Sequence, residues 1–234
     1  MSRPLAGQCV HCFTQSNSLT WDHVFPKGWY PPTTPPNLEK WKVPACLKCN
    51  REYGVLEEDL FTVIALCLDP DDIDTKALVD KALRSIDPSA GRDGKDKKKR
   101  AQRRHRVYSQ FVLPDQVPEH AVYPNFGRRD DGEVGGIRIR ARYLHKLCEK
   151  MVRGITYIED KQLIRDPYRV HFFALDDEGA RPIVSMLQTY GKQYAREPGV
   201  EIYRAVARED GISSAYAITI WRRLKMYAVV DARD

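Results

Sequence analysis

The sequence predicts an α+β protein built in two parts, and three observations carry that expectation. Two C-x2-C pairs, Cys9 with Cys12 and Cys46 with Cys49, fall within the first 50 residues. Runs of apolar residues at helical spacing follow them and recur in the second half of the chain. Segments rich in β-branched and aromatic residues are confined to the C-terminal third. The expected organisation is a metal-bound N-terminal unit with a helical extension over residues 1–86, a basic linker over 87–107 and an α+β domain over 108–234. At 234 residues, 42% hydrophobic and 30% charged, the chain has enough apolar material for a real core, which excludes wholesale disorder.

The cysteine pairs come first in the chain and give the sharpest signal. A C-x2-C turn puts two thiolates on one side of a tight loop, and two such turns supply the tetrahedral four-sulfur shell that Zn2+ prefers. His11, inside the first pair, could replace a cysteine, but the sulfur quartet matches structural zinc better. Between the pairs stand Pro26, Pro31, Pro32, Pro35 and Pro36, so this stretch is neither helix nor central strand and reads as an ordered loop held at both ends. After Cys49, Leu56, Leu60, Val63, Ile64 and Cys67 predict a helix that stops at Asp69-Pro70. A second helix is expected from Asp74 to Ile86, with Leu78, Val79, Ala82 and Leu83 on one face.

The next segment, residues 91–106, holds nine Lys/Arg against two Asp, a local charge of +7. The rest of the chain has 29 basic against 30 acidic residues, so the overall +6 is a local feature. A concentrated cationic stripe points to a polyanion; Lys97, Lys98, Lys99, Arg100, Arg103 and Arg104 are its candidate contacts, and the bland alternative is a solvated linker. Beyond it, Ile139, Tyr143, Leu147 and Met151 with Leu144, Cys148 and Val152 predict an amphipathic helix ending at Gly154. Strands are expected at Tyr168–Leu175, Val200–Val206, Ala215–Trp221 and Met226–Val230, the last two as a hairpin, with a further helix over Pro182–Tyr190. The longest apolar stretch, Leu60–Leu68, is far short of a bilayer span of roughly 20 residues. The N-terminus lacks the apolar core of a signal peptide, so the reducing cytoplasm is the expected compartment. Cys67 and Cys148 read as small buried hydrophobes and His105 as solvated; His145, at i, i+3 with Cys148 on the amphipathic helix, and His171, before Phe172-Phe173 in a strand, read as helix or strand surface and core ahead of metal ligands, and His120 has no motif context.

Inside the cysteine frame the chain reads Leu19-Thr20-Trp21-Asp22-His23-Val24-Phe25-Pro26, then Asn37-Leu38, then Cys46-Leu47-Lys48-Cys49-Asn50. Hydrolysis of a phosphodiester needs a base to activate water and positive charge at the phosphorus. His23, the histidine of this unit with a carboxylate neighbour in sequence, suits the base. Asp22 and Asn50 offer hard oxygens of the kind Mg2+ or Mn2+ takes.

The pattern C-x2-C, DH-x2-P, N-L, C-x2-C-N resembles the HNH (His-Me finger, ββα-metal) endonucleases, over roughly residues 9–54. The resemblance implies a ββα-metal unit with Asp22 and His23 on its first strand and Asn50 on its helix. It further implies Asn37 bracing the loop that orients the histidine, structural Zn2+ at the four cysteines, catalytic Mg2+ or Mn2+ at Asp22 and Asn50, and DNA, ahead of RNA, as the substrate. Products with 5′-phosphate and 3′-hydroxyl ends follow from the same likeness. Adjacent residues on an ideal strand face opposite ways, so Asp22 and His23 serve one site only if the strand twists or ends there. Family members often carry Lys or His shortly after the last motif; here Arg51, Glu52 and Tyr53 stand there, and an auxiliary phosphate contact would pass to Arg51. Trp29 and Tyr30 are placed either to stack on bases or to pack over the zinc unit. The expected function is a metal-dependent HNH endonuclease or nickase, in phage defence or mobile-element biology. The rival readings are a non-catalytic zinc module binding nucleic acid, and a nuclease subunit that a protein partner engages through the C-terminal domain.

Overall fold

The computed structural model describes residues 6–72, 75–113, 116, 136–175, 177–195 and 198–232. It is a mixed α and β protein with five helices and several sheets among the described residues. Strands β1 (Gly7–Gln8) and β2 (Gln15–Ser16) pair antiparallel and carry the first cysteine turn between them. Strand β3 (Thr20–His23) pairs antiparallel with β4 (Lys42–Ala45), Thr20 opposite Ala45 and His23 opposite Lys42. Strand β4 runs directly into α1 (Leu47–Ala65), whose N-cap is Cys46. The proline-rich segment between β3 and β4 is loop with one 3-10 turn at Lys27–Trp29, as its composition requires. Trp29 and Tyr30 are buried in it: Trp29 packs on Trp221 with ring centroids 5.1 Å apart, and Tyr30 on Phe25 at 4.9 Å. Of the two uses expected for this aromatic pair, packing is the one observed.

Helix α2 (Lys76–Ile86) buries Leu78, Val79, Ala82 and Ile86, whereas Leu83 is exposed. The expected linker over 87–107 is corrected: residues 94–108 form helix α3 (Gly94–Tyr108), capped by Asp93, whose side chain accepts from Asp96 N. Its hydrophobic signal is weak because one apolar residue, Val107, is buried in it. Polar docking replaces an apolar stripe. Arg100 bonds Asp96 (3.2 Å) and the Arg84 carbonyl, Arg103 bonds the Ser85 carbonyl (3.2 Å) and Glu58, and Arg106 lies 3.4 Å from Asp59. Acidic residues of α1 thus meet one side of the basic run.

After a two-residue ribbon of β5 (Phe111–Val112) and β6 (Gly136–Ile137), helix α4 runs Ala141–Asp160 and ends at Lys161 in the left-handed conformation (φ 59°). The expected stop at Gly154 is corrected, because that glycine answers a packing demand. A Cβ there would lie 2.6 Å from Val24 Cγ2 and 2.9 Å from Val24 Cγ1, so α4 crosses the residue after β3 at closer range than any side chain allows. Strand β7 (Tyr168–Phe173), helix α5 (Asp177–Tyr190) and strands β8 (Lys192–Tyr194), β9 (Val200–Val206), β10 (Ser214–Ile220) and β11 (Leu224–Ala232) complete the chain. The five strands form an antiparallel sheet in the order β7-β11-β10-β9-β8. The expected hairpin is present, its turn made by Trp221 and Arg222 at positive φ (50° and 58°) with Arg223 N donating to Ile220 O.

Period-two alternation gives this sheet two apolar faces. Tyr216, Ile218, Ile220, Met226, Ala228 and Val230 join Leu147, Met151 and Ile155 of α4, while Ala217 and Tyr227 pack with Ala180 and Leu187 of α5. The first cluster continues through α4 into Val24, Phe25, Trp29, Val43 and Leu60. One core therefore spans both parts of the chain, with α4 as its central layer. Among the described residues no helix is long and apolar enough to cross a membrane.

Candidate metal centre and histidine site

The four cysteines meet as the spacing requires: the Sγ atoms of Cys9, Cys12, Cys46 and Cys49 all lie within 4.8 Å of one another, and those of Cys12 and Cys46 are 3.7 Å apart. A tetrahedral four-sulfur zinc site with bonds of about 2.3 Å has sulfur separations of roughly 3.8 Å, so the cluster fits such an ion. The backbone fixes both turns before any metal is considered. Phe13 N donates to Cys9 O (2.9 Å), Cys9 N to Thr14 O (3.1 Å), Cys49 N to Cys46 Sγ (3.4 Å) and Asn50 N to Cys46 O (3.0 Å). Val10 N donates to Pro44 O (3.0 Å) and joins the first turn to β4. None of the six cysteines forms a disulfide, and Cys67 and Cys148 are buried as expected.

His23 ends β3 and is half-buried, opposite Lys42. Burial, followed by the positive charge of Lys42, pushes its pKa down to about 4; Lys150 and Lys27 act the same way, and Asp22 opposes them. The imidazole is therefore neutral at pH 7, held so first by burial and then by the charges of Lys42, Lys150 and Lys27.

Asp22 points the other way, into the interior, as strand alternation dictates. Its Oδ2 accepts from His11 Nε2 at 2.8 Å and its Oδ1 from Lys150 Nζ at 3.0 Å. Burial pushes the Asp22 pKa up, but the His11 bond and the Lys150 charge outweigh it, and the group is held below its ordinary value. Lys150, from the middle of α4, is fully buried and also binds Glu57 Oε1. Burial raises the pKa of Glu57, with Lys150 opposing. His11 Nδ1 is buried without a hydrogen-bond partner, and the His11 ring meets Tyr53 edge-on at 4.7 Å. Asn50 stands in the first turn of α1, where its Nδ2 donates to Thr20 Oγ1 (2.8 Å) and Trp21 O (3.3 Å). Both oxygens of Asp22 are engaged and Asn50 is turned onto β3, so these two residues do not fit a divalent ion in this arrangement.

The remaining expected residues are scattered. Asn37 is exposed in the turn after Pro35 and Pro36, and no side-chain hydrogen bond links it to β3 among the described residues. Arg51 is exposed on α1. On α3, Lys97, Lys98, Lys99 and Arg104 are exposed, whereas Arg100 and Arg103 are drawn into its docking. Lys95, which the sequence did not single out, shares the outer stripe with Lys98 and Lys99. His105 is exposed, and His120 lies outside the described residues.

Lys150, Glu57 and the role of His11 were not expected from the sequence. Two signals were present. Asn50, Tyr53 and Glu57 follow i, i+3, i+7 spacing, one face of a helix, and Lys150 interrupts the apolar stripe of α4, where a lysine needs a buried partner. No protein-family model, curated protein or solved structure matches the chain.

Proposed function

We propose that the chain is an HNH-type endonuclease that hydrolyses phosphodiester bonds in DNA. One observation carries the reading: a neutral imidazole ends the first strand of a strand–strand–helix unit clamped by four cysteines, and it stands among lysines suited to a phosphate. In this reading His23 takes a proton from water as the water oxygen bonds to phosphorus. The P–O3′ bond breaks, and the 3′-oxygen leaves as a hydroxyl after gaining a proton from solvent. Lys42 and Lys27 offset charge on the phosphoryl oxygens, and the outer face of α3 with Lys95, Lys98 and Lys99 holds the backbone of the nucleic acid. Zinc at the four cysteines fixes the hairpin against the start of α1.

A second reading, a non-catalytic zinc module binding nucleic acid, is favoured by the engagement of Asp22 with His11 and Lys150. Zinc-loaded protein incubated with supercoiled plasmid, with Mg2+, with Mn2+ and with neither, separates the two. The nuclease reading expects nicked or linear product from wild type and a rate about 10²–10⁴-fold lower from His23→Ala, with zinc content, thermal unfolding and DNA affinity unchanged. Plasmid that is retarded but uncut in all three conditions selects the binding module. A nuclease reading that needs a partner subunit expects cleavage to appear on adding lysate of the source cell to wild type but not to His23→Ala.

A further inference from the structure

The buried contact between β3 and α1 contains a cation that the chain itself supplies. Lys150 has no exposed surface, and its Nζ bonds Asp22 Oδ1 at 3.0 Å, bonds Glu57 Oε1 and stands 5.4 Å above the Tyr53 ring. Asn50 of α1 bonds Thr20 of β3, and Lys150 joins Asp22 of β3 to Glu57 and Tyr53 of α1. A buried ammonium loses its hydration and persists only where carboxylates compensate it. Here two carboxylates face one ammonium, with His11 as a second donor to Asp22. The lysine is also held from behind: α4 rests on Val24, the residue after β3, through Gly154, one turn further along the helix. Withdrawing the ammonium would unpack the central layer of the core.

We propose that the Lys150 ammonium takes the place of a divalent cation between β3 and α1, so that Asp22 binds no Mg2+ or Mn2+ and the His23 site works without such an ion. The second half of this statement rests on the nuclease reading; the first does not. Mg2+ requires about six oxygens at 2.0–2.1 Å, whereas this buried contact presents two carboxylates already spaced around a nitrogen. Lys150 touches no reacting atom in this scheme. It is a positioning residue that acts through Asp22, on the strand that ends in His23.

The test is a Mn2+ titration of zinc-saturated protein in metal-free buffer, followed by electron paramagnetic resonance of free Mn2+. Wild type should show no tight Mn2+ site. Lys150→Met, which keeps the aliphatic stem and removes the charge, should gain about one equivalent of Mn2+ and be stabilised thermally by it. Adding Asp22→Asn to that variant should abolish the gain, and Lys150→Arg should exclude Mn2+ as wild type does. If Lys150→Met does not fold, the wild-type titration still decides: one Mn2+ bound per chain and lost in Asp22→Asn overturns the proposal. Plasmid cleavage keeps the two claims apart. Cutting by zinc-loaded wild type in divalent-free buffer supports both, and cutting that depends strictly on Mg2+ and is lost in Asp22→Asn overturns the Lys150 proposal while the nuclease reading stands. With no cutting in any condition the nuclease reading falls, and the Mn2+ titrations alone decide the place of Lys150.

Discussion

Gly154→Ala tests whether α4 holds the histidine strand. In the interior of a helix, alanine is worth about 1 kcal/mol over glycine, so without tertiary contact the substitution stabilises. At this site the new methyl would lie 2.6 and 2.9 Å from the two Cγ atoms of Val24, where carbon atoms settle at roughly 3.5–4.0 Å. Val24 is fully buried and stiff at χ1, so the strain falls on the backbone of β3 or α4. Overpacking costs about 1–3 kcal/mol, and two short approaches to a rigid side chain place this case near the upper end. The net expectation is a loss of about 2 kcal/mol, roughly 4–8 °C in Tm for a chain of this size. Val24→Ala alone should cost a similar amount, because removing two methyl groups forfeits about 1.6 kcal/mol of transfer energy before any cavity cost. The double variant lets the new methyl fill the vacated space, so the pair should couple by about 2 kcal/mol. Urea unfolding of the zinc-saturated proteins measures all four corners of the cycle. A Gly154→Ala protein more stable than wild type, or strict additivity with Val24→Ala, would refute close packing of α4 on the strand that ends in His23.

Removing one thiolate by Cys46→Ala should drop zinc well below one equivalent by elemental analysis and raise hydrogen exchange in the first turn of α1, since Cys46 is also its N-cap; full zinc retention would contradict the four-sulfur site. On α3 the two sides should separate. Neutralising Lys95, Lys98 and Lys99 should lower the slope of log K against log salt for duplex DNA by about 0.9 for each phosphate no longer neutralised, at unchanged Tm. Arg103→Gln, which breaks bonds to Ser85 O and Glu58, should instead cost about 1–2 kcal/mol of stability. The opposite pattern would reverse the assignment of the faces. For His23 the pKa is lowered on folding, from 6.5 to about 4, so the unfolded chain binds the proton more tightly and this contribution to stability is lost as pH falls from about 6.5 to about 4. With solvent screening of a half-buried ring it amounts to roughly 1–2 kcal/mol. An NMR titration of the imidazole should find it still neutral at pH 5.5, and protonation near pH 6.5 would contradict the environment described.

Metal spacing and local periodicity were legible because both depend on neighbours in sequence. The C-x2-C pairs announced a four-sulfur cluster, and Leu56, Leu60 and Ile64 announced α1, since a loop of two residues or a turn of 3.6 needs no distant partner. Helix α3 was not legible because what orders it lies elsewhere. Its stripe of Asp96, Arg100, Arg103 and Val107 looks like solvated charge until Glu58, Asp59 and the last carbonyls of α2 are set against it. Gly154 misled for the opposite reason, since a glycine late in an amphipathic pattern reads as a C-cap, and only Val24, 130 residues earlier, shows why no side chain fits there. The strand alternation at Asp22 and His23 was visible, but its consequence required Lys150, a cation supplied from 128 positions away.

That separation bears on how the chain divides. Read as two domains, residues 1–86 would be a self-contained zinc unit and the rest an accessory. Cutting the chain at 86 would take the ammonium from Asp22 and Glu57 and open both carboxylates to water, leaving His11 as the one described partner that still holds Asp22. It would also uncover Val24, Phe25 and Trp29, whose partners Gly154 and Trp221 belong to the C-terminal part; the Trp221 Nε1–H even donates to Trp29 O at 3.1 Å. Four zinc–sulfur bonds can hold the cysteine turns and the start of α1, but they lie at the opposite end of β3 from His23. The end of the strand that bears the histidine is fixed by α4 and the sheet behind it, so the chemistry proposed for the first quarter of the sequence depends on residues 141–232 for its geometry.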